Sequence, residues 1–171
     1  MIIRATAKLL NISRIKPVKN LADFSGTMPG EWYASIVSLP YAGKFAIHFL
    51  HTPTFITILV PGKSLNNVVP NIPDKLSSLL KRNGFLQLRE IFILDSKPEI
   101  FATNSRSMLG HMNQIKYNLE YHLALPETLE LTNYEAIEDI HLRYMFGIPK
   151  KREYLKPIEI LKDLSKNLLN Q

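Results

Sequence analysis

A polar stretch at the start of a predicted helix has the residue types of an anion-binding site. Asn104 and Ser105 come just before a segment with helical periodicity, and Arg106 lies in its first turn. This turn leaves backbone N–H groups unsatisfied and carries the positive end of the helix dipole, so it attracts anions. The guanidinium of Arg106 adds a planar set of donors that fits phosphate or carboxylate. We therefore predict an anion-binding site here; the alternative is a capped helix whose arginine pairs with a surface acid.

Further polar residues extend this predicted site into a pocket. Asn113 lies seven residues after Arg106, about two helical turns, and therefore on the same side of the helix. Arg4 lies on a predicted first strand that would carry it to a similar depth. The alternative is that these side chains make separate surface contacts. The predicted binding residues are Arg4, Asn104, Arg106, His111 and Asn113.

Gly110 lies inside the same helical segment. Glycine in a helix interior costs up to about 1 kcal/mol relative to alanine, so it needs a packing or functional reason. We predict that close approach of the helix to the sheet is the reason.

The histidines do not form a metal-binding pattern. His48 and His51 lie three apart on a predicted strand, so their side chains are expected on opposite faces. His122 and His141 are isolated, and neither an H-E-x-x-H motif nor a cysteine is present. We predict no metal and no cofactor, and catalytic residues stay unassigned. In an enzyme, His48 or His111 would be the acid–base candidates.

A turn at residues 61–64 (PGKS) resembles the end of a phosphate-binding loop. It lacks the upstream glycine at Walker spacing, so it is not predicted to be one. No G-x-S-x-G nucleophile motif occurs either. The sequence thus carries no recognised catalytic signature.

The residues that must position these groups form a β-rich centre at 31–62. Valine, isoleucine, threonine and aromatic residues dominate it and favour strands. Breaks at proline and glycine divide it into strands at 31–39, 44–51 and 54–60, and such short links favour an antiparallel meander. The third run is apolar on both faces, which predicts a central strand covered on two sides.

A strand at 1–7 and a short β-segment at 98–103 are predicted beside this meander. The clearest helix spans 105–123, because Met108, Met112, Ile115, Leu119 and Leu123 repeat at helical spacing. Further helices are predicted at 8–11, 73–83, 134–146 and 157–169. A long loop at 11–30 with a short helix near Leu21, an ambiguous segment at 85–94 and a basic loop at 147–152 complete the chain.

These elements predict an α+β fold with an antiparallel sheet and helices packed on it. A length of 171 residues fits a single domain, with 125–171 as a helical carboxy-terminal extension. No apolar run reaches the roughly 20 residues that span a bilayer, and the start does not resemble a signal peptide. Cysteine is absent, which fits a cytoplasmic protein.

The net charge of +6 is uneven along the chain. Residues 1–85 contain 10 basic and 3 acidic residues, a balance of +7, whereas residues 86–171 are close to neutral. A basic half is compatible with an acidic partner such as nucleic acid. We predict at most weak, salt-dependent nucleic-acid binding. The roles of the acidic segment 127–139 and the basic residues 150–152 stay open.

Four blocks, in order, resemble one family: MIIRATAKLL at 1–10, GEWYA at 30–34, FITILVPGK at 55–63 and NSRSMLGHMNQI at 104–115. It is a family of small uncharacterised bacterial proteins, a domain of unknown function often found on plasmids and other mobile elements. The resemblance covers roughly residues 1–125. It implies a bacterial, cytosolic α+β domain and brings no activity, catalytic residues or cofactor.

Three functions remain open at this point. The first is an accessory or regulatory binding protein that engages a protein or nucleic-acid partner, linked to a mobile element and of the toxin–antitoxin or phage-defence type. The second is a metal-independent nuclease or nucleotide-acting enzyme, in which Arg4 and Arg106 bind phosphate and His48 or His111 is the acid–base group. The third is a structural or oligomeric protein. One cleft shared by these four residues would favour the enzyme.

Overall fold

A mixed five-stranded sheet forms the centre of the molecule. The computed structural model describes residues 1–19, 28–92, 96–148 and 153–170. The sheet contains β1 (Ile2–Ala5), β2 (Glu31–Ser38), β3 (Phe45–Thr52), β4 (Thr57–Pro61) and β5 (Glu99–Ala102), in the order β4-β3-β2-β1-β5. A separate antiparallel hairpin pairs β6 (Phe146–Ile148) with β7 (Glu153–Leu155).

The predicted antiparallel meander is confirmed as β2, β3 and β4. Ser35 lies opposite His48, and His48 lies opposite Leu59, which fixes the register of the three strands. Strand β1 extends this meander in parallel with β2 and also pairs in parallel with β5. The α+β fold class is therefore confirmed, with a parallel part added to the antiparallel sheet.

Strand β4 is an edge strand, so its predicted central position is wrong. It is nevertheless covered on both faces: Ile58 and Val60 join one core and Leu59 joins the other. The backbone N–H of Leu59 donates to Oε1 of Glu138 at 2.9 Å. The continuous apolar run of β4 thus reflects cover on two faces, and at its open edge the Glu138 carboxylate accepts a hydrogen bond from the backbone.

Helices cover both faces of the sheet. The first face, with Trp32 and Ile36, packs against α1, α2, α3 and α6; the second, with Tyr33 and Val37, packs mainly against α4 and α5. The side chains of β2 therefore alternate between the two faces. The helices are α1 (Ala7–Ser13), α2 (Leu65–Val68), α3 (Ile72–Arg82), α4 (Arg106–Ala124), α5 (Tyr134–Leu142) and α6 (Pro157–Leu169).

Helix α4 follows its predicted bounds to within one residue. The Ser105 side chain accepts a hydrogen bond from the Met108 backbone N–H at 3.2 Å, which caps the helix. Met112, Ile115, Leu119 and Leu123 are buried on the second face. Met108 packs against the same core while remaining partly exposed.

Helices α1 and α5 differ from their predicted bounds, and α1 runs to Ser13 rather than to 11. Helix α5 ends at Leu142 rather than 146, because Phe146 is buried in the second core and belongs to β6. The ambiguous segment forms a 3-10 helix at Leu86–Phe92. The predicted short helix near Leu21 and the basic residues 150–152 lie outside the described residues.

The carboxy-terminal part packs onto the same sheet. Ile137 of α5 joins the second core and Leu161 of α6 joins the first. Within the described parts of the chain, no helix combines the length and apolar character needed to cross a membrane.

Candidate functional site

Arg4 lies in a buried ion pair. Its Nε and Nη2 donate to the two carboxylate oxygens of Glu31 at 2.7 and 2.8 Å. The side chains are only 3% and 1% exposed, and the guanidinium carbon lies 5.7 Å from the ring centre of Phe101. Because the pair is so little exposed, solvent ions screen it weakly. Arg4 is thus held as part of the packing between β1 and β2.

Asn104 connects the start of α4 to the sheet. The Tyr33 hydroxyl donates to Oδ1 of Asn104 at 3.3 Å. Tyr33 lies beside Arg4 in the parallel register of β1 and β2. Asn104 itself is exposed, so this predicted binding residue lies at the rim of the buried polar group formed by Arg4 and Glu31.

His111 faces the protein interior. It is buried and makes an edge-to-face contact with Phe55, with ring centres 5.2 Å apart. Burial lowers the pKa of His111, so the ring is held neutral. Phe55 lies in the turn between β3 and β4 with a φ of 58°. His111 therefore anchors α4 to that turn.

Arg106 and Asn113 lie on the opposite side of α4 from His111. Both are exposed, and their spacing of seven residues places them on one side of the helix. The structure therefore brings these two together, and it places Asn104 beside Tyr33 and Arg4 against Glu31. A common pocket for all the predicted binding residues stays a prediction.

The solvent side of α4 has an unusual composition. We call it the α4 outer face, and each of its members is exposed. Its exposed members include no lysine and no carboxylate, and the partly buried ion pair of Lys116 and Glu120 borders it. The solvent side of an amphipathic helix is usually charged throughout. Its members are Arg106, Gly110, Asn113, Gln114, Tyr117 and Tyr121.

Sequence reasoning missed the two tyrosines of this face. Tyr117 is 75% exposed and Tyr121 is 65% exposed. Large rings in contact with water are costly, and exposed aromatic clusters mark interaction sites. The signal was present in the sequence: the stripe opposite Met112 and Ile115 holds aromatic and amide side chains where charges were to be expected.

The predicted reason for Gly110 is wrong. A Cβ atom placed on this residue would have no described atom within 4 Å beyond its own stretch of helix. Close approach to the sheet therefore does not explain the glycine, and it lies on the exposed side of α4. No packing contact within the described part of the chain compensates the low helix propensity of this glycine.

A groove adjoins the α4 outer face. It has a volume of about 570 Å³ and shares Gln114 with that face. Met145 and Tyr154, on its other side, are 54% and 75% exposed. Arg143 and Lys156 also line it and give it a positive rim. We call this the hairpin groove, because Tyr154 belongs to the β6–β7 hairpin.

The two strand histidines lie on opposite faces, as predicted. His51 contacts Trp32 on the first face; its Nε2 donates to the Pro29 carbonyl oxygen at 2.8 Å, and its Nδ1 accepts from the Thr54 hydroxyl at 2.7 Å. His48 is fully buried on the second face. Burial lowers the pKa of His51 to about 4. His51 therefore has a structural role in the turn.

His141 of α5 is also buried and lies near His48. Neither ring nitrogen of His48 or of His141 has a hydrogen-bond partner among the described residues. Burial, and then the imidazole of His141, lowers the pKa of His48 to about 3. Burial, and then the imidazole of His122, lowers the pKa of His141 to about 4. His122 lies 6.2 Å from His141, centre to centre. The described part of the chain holds no group of three side chains arranged to bind a metal.

Part of the acidic segment is used within the molecule. Arg82 of α3 pairs with Glu135 at 3.2 Å, Glu138 at 3.1 Å and Asp139 at 3.3 Å, all on α5. These contacts fix α5 against α3. Carboxylates that the sequence left without a role therefore hold two helices together.

Comparison with known proteins places most of the chain in a described family. A family model, the domain of unknown function DUF6933, matches residues 2–160. No curated protein and no solved structure matches. The match extends beyond the 1–125 of the sequence resemblance and includes the acidic segment and the start of α6. The chain therefore belongs to the DUF6933 family.

Proposed function

We propose that this protein is a non-enzymatic binding module that engages a protein partner through the α4 outer face. The observation that carries this proposal is Gly110, an exposed glycine inside a helix with no packing partner in the described chain. Alanine would be favoured there by about 1 kcal/mol. A partner whose backbone lies directly on α4 explains the glycine, since any side chain would hold that backbone away.

The composition of the α4 outer face supports a protein partner over nucleic acid. Protein interfaces are enriched in tyrosine and arginine and depleted of lysine, glutamate and aspartate. Tyr117, Tyr121 and Arg106 are the residue types that most often carry interface binding energy. A nucleic-acid surface would need several cations to neutralise phosphates, and this face contributes one.

The hairpin groove extends the proposed surface. Met145 and Tyr154 add exposed apolar area beside Gln114, and methionine adapts to varied partner shapes. Arg143 and Lys156 at the rim favour a partner with an acidic residue next to an apolar one. The partner would then contact α4 centrally and the groove at its margin.

The cellular setting is part of the same proposal. The absence of cysteine and the family resemblance support a bacterial, cytoplasmic accessory or regulatory protein on a mobile element. In a toxin–antitoxin or phage-defence system, the partner would be another protein of that system. The nuclease alternative has less support, because Arg4 and His48 are buried and Arg106 is exposed.

Photo-crosslinking in cells of the source organism tests the proposed surface. Benzoylphenylalanine at position 117 should give one discrete adduct with a protein, whereas the same group at Lys166, an exposed position on α6, should not. Gly110→Gln should abolish the adduct while the melting temperature is retained, and Lys166→Gln should leave it unchanged. Adducts with nucleic acid, or equal adducts at both positions, would refute the proposal.

A further inference from the structure

A second cavity shares no lining residue with the hairpin groove or with the α4 outer face. Its volume is about 350 Å³, which is within the range of small-molecule sites. It lies where the turn between β2 and β3 meets the end of β4 and the start of α5. Apolar side chains form its walls, among them Leu39, Phe45 and Leu129.

The charged groups of this cavity all have the same sign. Lys44 and Lys63 line it, and no carboxylate does. Both lysines are exposed, and among the described residues neither forms an ion pair. The ammonium of Lys63 lies 5.4 Å from the centre of the Phe45 ring. Two unpaired cations above an apolar floor attract an anion that also carries apolar surface.

Tyr134 adds a hydrogen-bond donor. It lines the cavity, and its hydroxyl is buried without a partner among the described residues. Such an unpaired hydroxyl is unfavourable, and a ligand acceptor would satisfy it. Burial, and then the nearby Tyr41, raises the pKa of Tyr134. The hydroxyl is therefore protonated at neutral pH and can donate a hydrogen bond to a ligand.

We propose that this cavity binds a small aromatic carboxylate. The ring would pack on Phe45 and Leu39, since flat apolar surfaces favour aromatic contacts. The two carboxylate oxygens would accept hydrogen bonds from the ammonium groups of Lys44 and Lys63. After a small shift of the Tyr134 ring, they would also accept a hydrogen bond from the Tyr134 hydroxyl. Inorganic phosphate fits less well, because it carries no apolar surface and would leave the apolar walls of the cavity uncovered.

Titration of the full chain with 2-naphthoate, followed by calorimetry or NMR, tests the proposal. Saturable binding is expected, and the isosteric neutral 2-naphthamide should bind about tenfold more weakly because it lacks the charge. The double variant Lys44→Met/Lys63→Met should lose about the same factor. Lys162→Met, at an exposed lysine of α6, is the matched control and should bind as the unaltered protein does.

Several outcomes would overturn the proposal. Absence of saturable 2-naphthoate binding would remove the site. Equal affinity for the amide would show an apolar cavity without preference for anions, and equal affinity for inorganic phosphate would show that the ring is irrelevant. Undiminished binding by the double lysine variant would place the ligand elsewhere. The amide comparison needs no variant, so it decides the charge requirement even if a variant fails to fold.

Discussion

The carboxylate of Glu31 receives two donors of Arg4, Nε at 2.7 Å and Nη2 at 2.8 Å, between neighbouring parallel strands. Removing either partner breaks this buried ion pair, which is costly because the remaining charge loses its two short hydrogen bonds. We therefore expect Arg4→Met or Glu31→Gln to lower the free energy of unfolding by about 3–5 kcal/mol, as measured by denaturant titration. The double variant Arg4→Met/Glu31→Leu should recover much of this loss. If Arg4→Met retained full stability and lost only ligand binding, Arg4 would be a binding residue.

The buried side of α4 should carry much of the stability of the second face. Ile115→Ala and Met112→Ala each remove a side chain that is almost fully buried. Each should cost about 2–5 kcal/mol, from lost burial and the cavity left behind. Asn113, the residue after Met112, is exposed, so Asn113→Ala should change the free energy of unfolding by less than about 0.5 kcal/mol. Equal denaturation midpoints for all three variants would contradict the assigned orientation of α4.

Acid should destabilise the protein through its buried histidines. His48, His51 and His141 have lowered pKa values of about 3, 4 and 4 in the folded state. As the pH falls below about 6.5, the unfolded chain binds protons that the folded chain does not, so stability decreases. At pH 5 each histidine should contribute a loss of about 2 kcal/mol. Burial raises the pKa of Glu138, which acts in the opposite direction.

His141→Phe isolates one of these contributions. It removes a buried imidazole whose nitrogens have no partner among the described residues. The loss of unfolding free energy between about pH 7.5 and pH 5 should be smaller by about 2 kcal/mol than in the unaltered protein. Glu138 is present in both proteins, so its opposing effect cancels. An unchanged pH dependence would contradict the lowered pKa, since it would show that His141 takes up its proton at the same pH in the folded and unfolded states.

The basic amino-terminal region should bind nucleic acid weakly. Lys8, Arg14, Lys16 and Lys19 are exposed, and residues 1–19 contain no acid. Binding to a short DNA duplex, measured by fluorescence anisotropy, should fall steeply between about 50 and 200 mM salt because counterion release drives it. Lys16→Glu/Lys19→Glu should abolish it, whereas Lys162→Glu/Lys166→Glu should weaken it less. Tight, salt-insensitive binding to one sequence would instead identify a specific nucleic-acid reader.

Local pattern predicted the elements better than it predicted their neighbours. The alternation around Trp32 and the helical spacing around Ile115 gave the right faces, because both patterns are imposed by the local backbone. The parallel position of β1 between β2 and β5 depends on pairing over long distances, as does the edge position of β4. The apolar run around Ile58 records cover on two faces and carries no information on strand order.

The candidate site was predictable only in part, for a related reason. The capping role of Ser105 and the shared side of Arg106 and Asn113 follow from helix geometry. The partner of Arg4 does not, because Glu31 becomes its neighbour only when β1 pairs with β2. Gly110 was misassigned, since a sequence shows that a glycine lies in a helix but not which side of that helix is covered.

The hydrogen bond from Leu59 to Glu138 has a consequence for self-assembly. An edge strand with free N–H groups is a template on which another extended chain can add. Here the carboxylate of α5 occupies one of those donors, and Arg82 holds that carboxylate in place at 3.1 Å. The same helix carries His141, whose burial is opposed by protonation. If acid detaches α5, the edge of β4 is uncovered. The same event would then lower the stability of the fold and allow intermolecular sheets to grow.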